Sequence, residues 1–358
     1  MSLKPHTLVI LTPGFPANEA DTNCLPAQQQ FIKALRRSLP ALKIIVLALK
    51  YPFAASHYEW YGSQVIAFGI RKGFYQKMRW LRVWRMLRKI QKENNVMGML
   101  SFWCTECALI GTYFGRMYSI RHLSWVLGQD ARKSNVCVKL MRPRSQELIA
   151  LSDFLANEFY TNHGVRPQHI IPNGIDTALF RETAPVRDID LLGAGSLIPL
   201  KQYPLFIETA GALVRHFPAL SATLCGKGPE EALLKKQIVS LHLEQHVTLT
   251  GEMPHPEMLR LMQRTKIFLH PSAYEGFSGA CLEALCAGAH VISFHNPMTR
   301  HTPHWHIVSS KEEMMQKAKQ LLNDPRLDHE PEVVYSIEET ARSVMRLFGY
   351  YRHLTNKK

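Results

Sequence analysis

No stretch of the 358 residues is apolar for long enough to cross a bilayer. The nearest, residues 96–115, is interrupted by Glu106 and by Ser101, Thr105 and Thr112, and reads as a strand followed by a buried helix. The chain opens Met1-Ser2-Leu3-Lys4-Pro5-His6 and runs directly into the apolar Thr7–Thr12, which leaves no room for a signal peptide. Cysteine is sparse: the seven residues are odd in number and lack the spacing of a disulfide framework, so a reducing cytoplasm is expected. Cys104-x-x-Cys107 has no second pair and no nearby histidine ligands, which argues against a zinc or redox site. Internal repeats and low-complexity segments are also missing. Acidic residues are few, 29 against 43 Lys and Arg, and the imbalance is local. Residues 1–165 hold 22 Lys and Arg against 9 Asp and Glu, whereas residues 166–358 hold 21 against 20. Two separately tasked halves follow from that asymmetry.

What is present is the composition of a soluble globular protein, 46% hydrophobic and 20% charged, in a chain long enough for two domains. Apolar runs at Thr7–Thr12, Ile44–Leu49, Val96–Phe102 and Leu123–Leu127 read as strands with helices between them. A helix is expected from about Leu25 to Leu39, and a helix and loop over 145–165. The second half repeats the alternation, with strands at Asp190–Ala194 and Val247–Gly251 and closing helices at about 311–322 and 337–349. Alternating strands and helices imply parallel, doubly wound sheets in an α/β protein.

Residues 71–92 carry nine Lys and Arg. At about 100° per residue, Trp80, Val83, Trp84, Met86, Leu87 and Ile90 form one face, and Lys77, Arg82, Arg85, Arg88, Lys89 and Lys92 the other. A solvated outer face accounts for the packing. Six cations on one face also suit an anionic membrane surface, at about 1 kcal/mol per basic residue. Nucleic acid is the competing partner for such a stripe, and the membrane is the reading preferred here.

The stretch 267–294 is the most informative. It reads as strand (Ile267–His270), loop, helix (about Ser278 to Ala287), a stop at Gly288, and strand (His290–Phe294). Glu275 lies in the loop and Glu283 inside the helix, with seven residues between them. Gly276, Ser278, Gly279 and Ala280 surround the helix start, where unpaired N–H groups and small side chains suit a phosphate. A solvated helix Glu is the plainer alternative.

The run Pro271-Ser272-Ala273-Tyr274-Glu275-Gly276-Phe277-Ser278-Gly279-Ala280-Cys281-Leu282-Glu283-Ala284-Leu285-Cys286-Ala287-Gly288 resembles the Glu-x7-Glu signature of retaining GT-B glycosyltransferases of the family 4 (group 1) type. The resemblance implies two doubly wound, Rossmann-like domains facing across a cleft. An acceptor domain would occupy 1–167, with the helix at about 337–358 packed back on it, and a nucleotide-sugar donor domain 168–336. It places Glu275 at the transferred sugar and Glu283 at the ribose, with Gly276, Phe277 and Ser278 beside the donor.

Other segments fit in order. Ile170-Ile171-Pro172-Asn173-Gly174-Ile175-Asp176 resembles the family's interdomain segment, although Asn-Gly also serves as plain turn chemistry. Gly195-Ser196-Leu197-Ile198-Pro199-Leu200-Lys201 resembles the diphosphate loop, with Lys201 at the family's lysine but Ser196 at its arginine. An alcohol cannot replace a bidentate guanidinium. Gly226-Lys227-Gly228-Pro229 and Glu252-Met253-Pro254-His255 resemble the segments lining the donor, which singles out Gly226 and Met253. Gly14, after the first strand, stands where the family has a glycine-containing loop, often with a double glycine; here the glycine is single and Phe15-Pro16 follow. Asp130 falls in a strand-end loop where the family has His-Gly-x-Asp, with Leu127 at the histidine. An N-cap role for Asp130 is the open alternative.

After Phe294 the pattern departs. Four histidines, 295, 301, 304 and 306, stand among residues without an acid or thiol ligand, so no metal is expected. The resemblance implies transfer of a hexose from a nucleotide-diphosphate sugar to an acceptor hydroxyl, with retained configuration and no required cofactor. Lys201 would be catalytic with Glu275, because it would neutralise the departing diphosphate. The acceptor would be a glycan or glycolipid, in glycolipid or surface polysaccharide synthesis, with the protein cytoplasmic and peripheral on the inner membrane face. Two rivals are kept: a nucleotide-sugar-binding protein with weakened catalysis, suggested by Ser196 and Leu127, and a basic nucleic-acid-binding protein, suggested by charge alone.

Overall fold

The computed structural model describes residues 4–69, 76–180, 186–298 and 302–351. The chain forms two compact units, the first of residues 1–176 with 335–358 and the second of residues 177–334.

The first unit opens with β1 (His6–Gly14), α1 (Pro26–Ser38) and β2 (Lys43–Tyr51). A hairpin follows, β3 (Ser56–Trp60) and β4 (Ser63–Ala67), which the sequence reading did not include. Then come α2 (Gln76–Glu93), β5 (Asn95–Phe102), α3 (Glu106–Tyr118), β6 (His122–Val126) and α4 (Val136–Met141). The segment read as helix and loop over 145–165 is partly strand: β7 (Leu148–Ala150) precedes α5 (Asp153–His163), and β8 (His169–Ile170) follows. Three residues are too few for strand periodicity to show. The sheet order is β3-β4-β2-β1-β5-β6-β7-β8, parallel except between β3 and β4. Val9, Leu11, Ile45 and Met99 from the sheet and Val83 and Leu87 from α2 share one core cluster. Each such side chain, fully buried, contributes about 1.5–3 kcal/mol.

The second unit runs β9 (Ile189–Ala194), α6 (Tyr203–Val214), β10 (Ala222–Cys225), α7 (Glu231–Ser240), β11 (Val247–Gly251), α8 (His255–Gln263) and β12 (Thr265–His270). It continues with α9 (Gly279–Cys286), β13 (His290–Ser293), β14 (Trp305–Ile307) and α10 (Lys311–Leu322). All its strands are parallel, in the order β11-β10-β9-β12-β13-β14. Leu191, Phe206, Leu224, Ile267 and Ile292 pack its core.

The last helix, α11 (Ile337–Leu347), belongs to the first unit and packs on α1. Arg37 on α1 bonds both Asp176, at 2.8 Å, and Glu338, at 3.1 Å. Ile175 bridges Ser336, and Thr340 donates to the carbonyl of Pro172 at 2.9 Å. Those bonds hold the Pro172–Asp176 segment to the first unit, so that unit extends past residue 167. The residues of the expected helix beyond 351 lie outside the described residues.

Candidate functional site

In a parallel sheet, ligands bind beyond the carboxyl ends of the strands. In the second unit those ends carry the loops 195–202, 226–230, 252–254 and 271–278. The loops are fixed by backbone bonds: Ala273 N–H donates to Leu200 O at 2.9 Å, Leu197 N–H to Lys227 O at 3.1 Å, and Gly226 N–H to Gly251 O at 2.9 Å. Gly226 has φ of +149°, and a Cβ there would stand 1.9 Å from the carbonyl oxygen of Gly195. At Gly228 a Cβ would stand 2.3 Å from the oxygen of Leu197. Gly226, read from the sequence as a substrate contact, is thus required by the close stacking of one loop's backbone on another.

Lys201 ends a short 3-10 turn, Pro199–Lys201, and its Nζ is paired with Oε1 of Glu275. The same Oε1 accepts a second bond from His270 Nε2 at 2.8 Å. His270 is the last residue of β12 and only 2% exposed, and its buried Nδ1 has no hydrogen-bond partner among the described residues. Burial alone would raise the Glu275 carboxyl, but His270 and Lys201 overcome it and hold the group well below the usual carboxylate range. Burial lowers the His270 imidazole, against the raising effect of Glu275. The two tendencies are compatible when His270 is neutral and donates Nε2–H, so the positive charge beside Glu275 belongs to Lys201. Tyr203 Oη is a further buried atom without a hydrogen-bond partner among the described residues, at 2.8 Å from where a Cβ on Gly195 would lie.

Glu283 sits on α9, and its Oε1 accepts from Nε2 of His255, the first residue of α8, at 2.8 Å. Ser278 caps α9 by accepting from Cys281 N–H at 3.4 Å. Gly276 is buried, Phe277 and Met253 are half-buried, and Ser196 is exposed. Lys201, Glu275 and their loops therefore come together, with Glu283 on the helix that follows. The histidines 270 and 255 were missed: the sequence shows them only as a strand end and a loop residue, and neither position reveals where a ring points.

In the first unit, Gly14 closes β1 and pairs with Tyr51. A Cβ there would lie 3.4 Å from that of Tyr51, an ordinary contact, so the fold itself does not demand glycine. Asp130 is 2% exposed and accepts from Leu127 N–H and Cys104 N–H, both at 2.9 Å. Burial pushes its carboxyl up to about 7 against the lowering effect of those two bonds. Its carboxylate is turned inward onto those two N–H groups from the third position of the short turn Gly128–Ala131, whose N-cap is Leu127; the next helix, α4, is capped by Asn135, so Asp130 is not the helix-starting N-cap that the sequence left open.

The histidine-rich segment folds onto the edge of the second sheet. His295 bonds Ala273 O at 3.0 Å, His306 meets His290 at 3.1 Å, and His304 packs against His290 near Asp328 and Glu332. His301 lies outside the described residues. Among the described residues no group of three or more His, Cys, Asp or Glu is arranged to hold a metal ion. No described helix is long and apolar enough to cross a membrane.

Residues 175–332 match the family model for glycosyl transferases group 1. A 2-deoxystreptamine N-acetyl-D-glucosaminyltransferase of Niallia circulans is 29% identical over 106 residues, 30% of this chain and 27% of that protein. A component of the phosphatidylinositol N-acetylglucosaminyltransferase of Arabidopsis thaliana is 29% identical over 135 residues, 36% of this chain and 30% of that one. The matches thus span less than a third of either relative's length. The crystal structure of HepE of Anabaena, in complex with UDP and glucose, superposes with a TM-score of 0.66 at 17% identity, covering 98% of this chain and 100% of that one. The fold is GT-B.

Proposed function

We propose, from the premise that residues 175–332 form a group 1 glycosyl transferase domain, that this protein moves a sugar from a nucleotide-diphosphate donor to an acceptor hydroxyl. The observation that carries the reading is the convergence of Lys201, Glu275 and His270 beyond the carboxyl ends of β9 and β12. Glu275 faces the sugar as an anion and stabilises the positive charge that develops as the bond to the diphosphate breaks. Lys201 and the N-terminus of α9 take the charge of the leaving diphosphate. Glu283 holds the ribose, and Met253 lies along the base. The sugar is a hexose and its configuration is retained, with a donor phosphate oxygen taking the acceptor proton. A glycolipid acceptor agrees with the presence of a phosphatidylinositol N-acetylglucosaminyltransferase among the relatives.

The first unit supports a membrane location. On α2, Val83, Leu87 and Ile90 are buried, whereas Leu81 is 55% exposed and lies on one side of the helix with Arg85, Arg88 and Lys92. Trp80 and Trp84 are half-buried beside it, and Tyr113 and Met117 of α3 are exposed. Apolar groups ringed by cations are what an interfacial surface of anionic lipid requires. The side chains of Lys77 and Arg79 and the residues 71–75 lie outside the described part of this helix.

The experiment is a thermal-shift panel of nucleotide sugars, followed by release of nucleoside diphosphate with the binding donor. A donor at 100 times its Kd adds about 2.7 kcal/mol of stability. Stabilisation and turnover that Lys201→Ala diminishes support the reading. Binding without turnover favours the weakened nucleotide-sugar-binding protein, to which the exposed Ser196 also points. No stabilisation by any donor refutes both.

A further inference from the structure

We propose that His270 is a positioning residue for Glu275, fixing Oε1 from behind so that Oε2 is the oxygen presented to the donor; this rests on the reading of Glu275 as the carboxylate that faces the sugar. Oε1 takes both protein donors, His270 Nε2–H and Lys201 Nζ, and Oε2 has no hydrogen bond to any described residue. Two donors on one oxygen fix the carboxylate's rotation as a single one does not. Lys201 approaches on a flexible stem, whereas the imidazole is rigid and seated at the end of β12, stacked with Phe268 at 6.0 Å between ring centroids.

The environment of the ring argues that it is kept for this bond. His270 is 2% exposed and its buried Nδ1 has no partner among the described residues. An unsatisfied buried nitrogen costs stability, and a phenylalanine would fill the space without that cost. The interaction that offsets it is the bond to Glu275. A neutral donor also suits the site, since it steadies the carboxylate without consuming the negative charge that the sugar needs. The titratable groups around the pair are Lys201, Tyr203 of α6, Cys281 of α9 and His295 of the loop after β13.

His270→Phe removes the donor and keeps the ring, and His270→Gln restores an N–H at about the Nε2 position. Without His270, burial opposes the ionisation of Glu275 with Lys201 alone to counter it. In His270→Phe the acid limb of kcat/KM should therefore rise to or above the ordinary glutamate value, while wild type and His270→Gln keep it lower. Turnover should fall about tenfold or more with the donor KM little changed, as expected for a group that acts on the transition state. His270→Asn is the second probe where the phenylalanine variant melts early, because its shorter amide cannot reach Glu275.

A readout without turnover separates this inference from the functional reading. With glutamate carboxyl carbons labelled with 13C, the Glu275 resonance is assigned by its loss in Glu275→Gln. Its midpoint should move upward in His270→Phe and return in His270→Gln. An unchanged Glu275 titration in a folded variant lacking the donor overturns the positioning role, whatever the enzyme assay gives. A wild-type protein inert toward every nucleotide sugar overturns the functional reading, and the titration then still decides the role of His270.

Discussion

His255 at the start of α8 donates Nε2–H to Oε1 of Glu283 on α9 across 2.8 Å. One helix thereby orients the carboxylate of the next, and the ribose-binding role proposed for Glu283 acquires a fixed geometry. A ribose does not change during transfer, so its contacts are equal in the ground and transition states and show in KM. Glu283→Gln should raise the donor KM about tenfold, the effect of one lost charged hydrogen bond. Glu275→Gln should instead lower kcat by about a hundredfold, because charge develops beside it. Both variants keep their size, and melting should confirm the fold before steady-state kinetics are read. Reversed effects would exchange the two roles.

The glycines provide a stability contrast. Gly226→Ala places a methyl against the carbonyl of Gly195 at positive φ and should destabilise the protein by about 1–3 kcal/mol in urea melts. Gly14→Ala meets only ordinary contacts and should stay within about 0.5 kcal/mol. Equal losses would contradict the loop-on-loop packing described for the second unit.

Membrane binding is tested by charge reversal. Arg82, Arg85 and Arg88 make no ion pair with any described residue, and Lys89 is 4.0 Å from Glu93. Replacing the four by Glu should abolish sedimentation with anionic vesicles and leave donor binding unchanged. Wild-type protein that stays in the supernatant at low salt would end the proposal.

The edge histidines set an acid limit. Burial lowers both His290 and His306 from 6.5 to about 4, and neighbouring positive groups, among them His304 and Lys317, add to it. Between those values the unfolded chain binds more protons than the folded one. The stabilisation is therefore complete above about pH 6.5 and is lost as pH falls toward 4. Melting temperature should drop across that window, and the double variant His290→Gln with His306→Gln should flatten the slope. A slope unchanged in the variant would assign the acid sensitivity to other groups.

The strand–helix alternation was legible because the long strands are continuous apolar runs, and Glu275 and Glu283 because a fixed spacing ties both to one helix start. The hairpin β3–β4 and the short β7 were not, since neither carries a run long enough to show a period. Asp130 shows the limit of local reading: its neighbours suggest a binding loop, but Cys104, far away in sequence, turns it inward. His270 and His255 became visible only when the sheet brought strand ends and helix starts together.

The seam at Ile175 and Ser336 has a consequence for biosynthesis. Ile175 N–H bonds Tyr335 O, and Ile337 N–H bonds Ile175 O, so the chain leaves the first unit and returns to it at one place. A ribosome delivers α1 and β5 early, yet α11, which packs on α1, and Phe348 after it, which lies over Gly98 of β5, emerge only after all of residues 177–334 have been translated. Until then Gly98, where a Cβ would lie 2.3 Å from the ring of Phe348, stands beneath an empty seat. The nascent first unit thus lacks the helix that covers α1 while the second is made, and transiently exposed apolar surface of that kind is what makes incompletely made domains prone to aggregate.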